Sequence, residues 1–340
     1  MQSIVSLLVM AGLLVQLYAG WKLKSRLRLT SLTGAWWIWL FAWACWTGTW
    51  LCTAPFSMVS AGIADQLWYT TTVVTVSVPI AVLGARRPGH IVWLLFVLLP
   101  LILVLCWPAW LNLPRAWQGT RLSLEEPTVF GLGLVAVMGF GNYLGTRWTF
   151  AVLLIFSAIA GVMVPISIWG NTLQAHSETF RTAATLANSL AAIVVIMQLH
   201  SEVMSSSRVT ANVFAEADVE SRLATNRPDV YNPLEVRQRL EGFNRLWFSF
   251  RDLYGLVWAR RLQERINQIA DREKWPIRLE WFGWTERINE RPAAHNSDAE
   301  SAGTPASVVM TPAVVEQIEQ QQRWLLTRFV QPEWIDRHLS

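Results

Sequence analysis

Over residues 1–200 the chain alternates long apolar runs with short polar breaks, and from Ser201 it turns to charged, amphipathic sequence. Seven runs are long enough to predict membrane-crossing helices, at about 4–21, 33–53, 67–84, 91–110, 128–146, 149–170 and 183–200. The seventh is interrupted by Asn188, Ser189 and Gln198, and is counted because an odd number places the basic loops and the C-terminal region on one side. The predicted fold is an all-α membrane bundle followed by a mostly helical domain with one short strand.

Within the second run, Trp36, Trp39, Trp43, Trp46 and Trp50 advance in steps of three and four, which puts them on one helix face. An interfacial belt would hold tryptophans at the two ends of a span. Trp39, Trp43 and Trp46 fall instead at hydrocarbon depth, where each indole N–H needs an acceptor that lipid tails cannot supply. The stripe is therefore expected to face neighbouring helices. Ala44 with Gly48, and Gly141 with Gly145, have the small-residue spacing that permits close helix contact.

In the domain at 201–290, Asn232-Pro233-Leu234-Glu235 has the residue order of a helix start. Beyond it Val236, Leu240, Phe243, Trp247, Phe250, Tyr254 and Val257 form an apolar stripe, predicting a helix to about Lys274 with Gly242 and Gly255 as points of interruption. Ile277, Leu279 and Trp281 then alternate with Arg278 and Glu280 as a strand would, and a lone strand requires a partner. Residues 291–310 read as a flexible linker, and 311–340 as a last helix opened by Thr311-Pro312 and bounded by Pro332, with Val315, Ile318, Leu325 and Phe329 as its buried positions.

Charge supports this division. Residues 1–200 hold ten Lys/Arg and four Asp/Glu, and residues 201–340 hold eighteen and twenty. The basic excess thus lies with the membrane segments, which argues against nucleic acid as a partner. Lys22, Lys24, Arg26 and Arg28 follow the first run with no basic residue before it, and Arg86, Arg87 and Arg147 fall on the same predicted side. By the positive-inside rule this sets the N-terminus outside and the C-terminal region in the cytoplasm, in the plasma (inner) membrane. The charge order is not that of a cleaved signal peptide.

Candidate chemistry is sparse. No ionisable residue falls in the middle of a predicted span, which disfavours proton-coupled pumps and voltage sensors. Cys45, Cys52 and Cys106 lie in apolar runs without disulfide or metal spacing. His90 and His200 could meet at the inner boundary as a haem pair, but ordinary interfacial histidines explain them as well. Glu125 and Glu126 read as loop acids, and no phosphate loop, HExxH or GxSxG occurs. No catalytic, cofactor or metal residue is assigned.

The tracts Val82-Leu83-Gly84-Ala85-Arg86-Arg87-Pro88-Gly89 and Phe250-Arg251-Asp252-Leu253-Tyr254-Gly255 resemble segments of uncharacterised bacterial multi-pass membrane proteins. That resemblance implies a general layout and no activity. The leading expectation is a non-enzymatic membrane anchor or sensor-like scaffold that presents its C-terminal domain to a protein partner or a second copy. Trp247, Phe250, Arg251, Asp252 and Tyr254 are the candidate surface, with the domain's own core as the alternative role. A transport component for a neutral or lipid-like substrate is the second expectation, and would need a continuous cavity between helices. A haem-handling or other membrane enzyme is the third.

Overall fold

A computed structural model describes residues 2–53, 59–85, 94–167, 172–223, 233–286 and 312–339. The apolar runs become α1 (Gln2–Leu27), α2 (Thr33–Thr53), α3 (Ala61–Leu83), α4 (Leu99–Leu111, entered through a π turn at Leu94–Leu98), α6 (Glu126–Gly141), α7 (Thr149–Met163) and α8 (Ser177–Leu223). A short helix, α5 (Leu113–Trp117), precedes α6. The chain is mostly helical throughout.

The expected count of seven spans is corrected. Among the described residues, four helical stretches are long and apolar enough to cross a membrane: Ile4–Leu27, Ala61–Leu83, Thr149–Ile166 and Gln174–Ser201. α6, at 16 residues, rises about 24 Å, short of a hydrocarbon core of about 30 Å. α4 is shorter still, at 13 residues. α2 has the length, but its indoles and threonines lower its hydropathy.

α1, α2, α3, α7 and α8 contact one another in a closed ring, with α6 packed outside α3 and α7, and α4 outside α3. The stripe on α2 turns into this ring. Trp36, Trp46 and Trp50 are buried and Trp39 and Trp43 half-buried. Three of the five N–H groups have protein acceptors: Trp36 donates to the Gly20 carbonyl (2.9 Å), Trp43 to the Leu13 carbonyl (3.0 Å) and Trp46 to Thr185 Oγ1 (3.2 Å). Trp43→Phe removes one such N–H and keeps most of the ring. It is expected to lower stability by about 1 kcal/mol, read by thermal unfolding in detergent, and no loss would mean that the bond to Leu13 contributes nothing.

The small-residue contacts fall elsewhere than expected. A Cβ on Gly48 or Gly141 would meet nothing within 4 Å, and Gly145 lies in a turn at φ +77°. Close approaches occur at Gly20, where an added Cβ would sit 1.9 Å from the Trp39 ring, at Gly12, 2.3 Å from Ser189 Oγ, and at Gly62 and Gly139. A sequence spacing shows which residues share a face, and only packing shows which face is used.

The C-terminal domain is built on α9 (Pro233–Arg272), broken at Gly255. The strand β1 (Ile277–Glu280) pairs with β2 (Gly283–Glu286), which the sequence pattern does not reveal, in an antiparallel hairpin with Leu279 opposite Trp284. Asn267 of α9 holds the hairpin, donating to the Leu279 carbonyl and accepting its N–H, both at 2.9 Å. The single last helix is corrected to two, α10 (Pro312–Leu326) and α11 (Pro332–Leu339). Pro332 opens α11 rather than bounding a helix, because a proline at N1 lacks an N–H that the first turn does not use. Residues 291–310 lie outside the described residues.

The domain sits on one end of the ring. Thr30, between α1 and α2, pairs antiparallel with Val330, between α10 and α11. Ser31 N–H donates to the Phe329 carbonyl (2.8 Å) and Gln331 N–H to the Leu29 carbonyl (2.9 Å). Ser31 Oγ also reaches the Ala85 carbonyl just beyond α3. The turns Leu27–Thr33, Leu83–Ala85 and Gly141–Thr149 therefore share the domain end.

Candidate functional site

The site has two parts, a clamp that holds α9 and a cavity above it. At Gly255 the backbone leaves the helix, with φ 77° and ψ −175°, a region open essentially to glycine alone. A break of this kind frees carbonyls before it and N–H groups after it, which must find partners if buried. The turn after α6 supplies them. Asn142 Nδ2 donates to the Tyr254 carbonyl (3.0 Å), Asn142 Oδ1 accepts from Val257 N–H (2.9 Å), and the Asn142 carbonyl accepts from Leu256 N–H (2.6 Å). Tyr143 Oη donates to the Leu253 carbonyl (3.3 Å) and Trp148 Nε1 to the Asp252 carbonyl (2.9 Å).

Charge completes the clamp. Asp252 is buried, with Arg147 Nε at 3.3 Å and Arg251 Nε at 3.1 Å. Burial pushes the Asp252 carboxyl above its ordinary value, and the Arg251 guanidinium pulls against that shift. Arg147 also lies over the Trp148 ring, 4.3 Å from its centroid. Burial likewise raises the Tyr254 phenol, which stays neutral and donates to the Phe329 carbonyl (2.7 Å).

Of the residues singled out from the sequence, Trp247 and Phe250 are in the domain's core, where Phe250 stacks on Tyr254 at 4.7 Å. Asp252 and Tyr254 meet the bundle end, at Arg147 and Ser31, whereas Arg251 stays within the domain, pairing with Asp252 and donating to the Trp281 carbonyl (2.9 Å). Lys24 lies over the rings of Trp21, Trp36 and Trp37, Lys22 over Tyr18, and Arg26 donates to the Leu199 carbonyl. Arg28 is exposed at the same end of α1. Arg86, Arg87 and His90 lie outside the described residues, so the pairing of His90 with His200 has no counterpart in them. Glu125 stands at the N-cap position of α6 without a side-chain capping bond, and Glu126 occupies its first turn, where acids favour the helix dipole. Asn142 was hidden in a predicted span, and its one signal is an amide directly after a glycine-rich apolar run.

The cavity has a volume of about 250 Å³ and runs up the ring axis from Asp252 and Leu253 to Trp46. Its wall carries Trp39 and Trp43, small side chains from α1, α2, α7 and α8, and two amides, Gln16 and Asn188. Past Trp46 the axis is filled by a packed cluster that includes Leu13, Trp50, Trp68 and Val162. Trp46 and Trp68 meet edge to face at 5.4 Å.

Beyond that cluster lies a pair of charges that hydropathy assigns to loops. Asp65 and Arg181 lie just past the first turns of α3 and α8, are 1% and 3% exposed, and form an ion pair with each other. Asp65 Oδ2 also accepts the Leu122 N–H (3.2 Å), and Arg121 bonds Ser177 Oγ (3.0 Å). This network ties the turns of the far end together.

The fold and site define a helical bundle, four of whose described helices are long and apolar enough to cross a membrane, with a domain clamped to one end and a blind apolar cavity behind the clamp. Comparison with protein families, with characterised proteins and with solved structures gives no match to this chain.

Proposed function

We propose that this chain is a sensor-like membrane scaffold that holds its C-terminal domain in one fixed position on the cytoplasmic side and presents it to a protein partner. The observation that carries this reading is the clamp at Gly255. A domain joined by a flexible tether needs no break in its main helix, whereas here the α6–α7 turn bonds five backbone groups on either side of one. The orientation follows from Lys22, Lys24, Arg26, Arg28 and Arg147, which gather at the domain end and favour the cytoplasmic face. The transport reading needs a path past Trp46, and the packed cluster beyond it stands in the way.

The contact surface for the partner is the hairpin tip, where Phe282 is 84% exposed, the highest of any large apolar side chain described. A photo-reactive residue in place of Phe282, activated in native membranes, is expected to give one discrete protein adduct. Folded protein that yields only lipid adducts would defeat the proposal.

A further inference from the structure

Bundles pack as densely as other protein interiors, with few voids larger than a water molecule. The axial cavity is several times that size. Ala19, Ala42, Ala151, Ala191 and Ala192 all face it. In membrane bundles small residues normally draw helices together. Here they keep a space open, which is the behaviour of a ligand pocket.

The chemistry of the wall selects the occupant. No Lys or Arg lines the cavity, so a carboxylate or phosphate would be buried without a counter-charge. Its one acid, Asp252, is already held by Arg147 and Arg251, so a cation would find no free anion. Of its other polar side chains, Thr75 donates to the Thr71 carbonyl (2.8 Å) and Tyr143 to the Leu253 carbonyl (3.3 Å), which leaves Gln16 and Asn188 as the pair able to both donate and accept. Gln16 Nε2 donates to Ser189 Oγ (3.0 Å) and Gln16 Oε1 accepts from Asn188 Nδ2 (3.4 Å). With the amides oriented by those bonds, Asn188 Oδ1 and a second N–H on Gln16 have no protein partner among the described residues. One hydroxyl could donate to the first and accept from the second.

We infer that the axial cavity binds a neutral, single-chain amphiphile, with its one hydroxyl at Gln16 and Asn188 and its hydrocarbon chain against Trp39, Trp43 and Ala191. At roughly 30 Å³ per water-sized group, the space takes about eight such groups. A straight-chain alcohol of about eight carbons is of this size. The inference deepens the sensor-like reading and rests on it only in that the bundle lies in a membrane. Occupancy of the cavity and partner capture at Phe282 are read separately, so each can fail alone.

The test uses the full chain in detergent and octanol bearing a diazirine, with adducts mapped by mass spectrometry. Labelling is expected on the cavity walls of α2, α7 and α8, and is expected to be competed by octanol and not by octanoate or octylammonium. Asn188→Leu should weaken octanol competition about tenfold, the effect of one lost hydrogen bond, and Ala191→Phe should abolish cavity labelling by filling the space. If Ala191→Phe does not fold, Asn188→Leu decides alone. Octane competing as well as octanol would overturn the proposal. So would adducts spread over outward residues such as Phe41 and Leu153, or Asn188→Leu leaving competition unchanged.

Discussion

Gly255→Ala is expected to release the C-terminal domain from the bundle and to cost about 3–6 kcal/mol, counting backbone strain and the bonds of one displaced side chain. The backbone there has φ 77°, and a Cβ would lie 2.3 Å from Asn142 Nδ2 and 2.5 Å from the Asn142 carbonyl oxygen. Asn142 cannot stay, and as it moves, Tyr254, Leu256 and Val257 lose their partners. Limited proteolysis in detergent should then cut between bundle and domain at a protease level that spares the parent protein. Gly119 provides the control. It too has positive φ (87°), but a Cβ there meets nothing within 4 Å. Gly119→Ala therefore tests strain without collision and should cost less. Equal losses from the two substitutions would show that the clamp contributes nothing.

The second large effect is expected at the far end. Asp65→Leu leaves Arg181, 3% exposed, with the largely exposed Glu178 as its counter-charge, and Arg181→Met leaves Asp65 buried with the Leu122 N–H and the nearby charge of Arg121. Removing one member of a buried pair costs about 3–5 kcal/mol because the survivor is uncompensated, while replacing both by apolar groups is often close to neutral. Each single substitution should thus lower the thermal midpoint strongly, and the double substitution should recover most of the loss. Singles within about 1 kcal/mol of the parent would mean that the pair is solvated in the membrane-bound protein.

These two sites also mark what was legible in the sequence. The tryptophan period alone gave the face of α2 that turns inward, since a step of three and four residues is a property of the helix. Hydropathy starts the third and seventh runs near residues 67 and 183, which leaves Asp65 and Arg181 outside both. The helices begin earlier, at Ala61 and Ser177, and Ser60 capping α3 was the local sign of it. That the two charges meet was not legible, because they are 116 residues apart. Gly242 and Gly255 looked alike as possible interruptions. Only Gly255 breaks α9, because a break is tolerated where another segment takes up the freed backbone groups, and that segment is the distant turn at Asn142. The cavity is a relation among seven helices and belongs to no stretch of sequence.

The pairing of Thr30 with Val330 also bears on the order of assembly. Leu29 and Ser31 leave the ribosome about 300 residues before their partners Gln331 and Phe329. Contacts between segments so far apart in the chain are slow to close and leave surfaces uncovered meanwhile. During synthesis the bundle must therefore wait in the membrane with its domain end unsealed. A chain that terminates before Phe329 would keep that end permanently open, however well its helices were inserted.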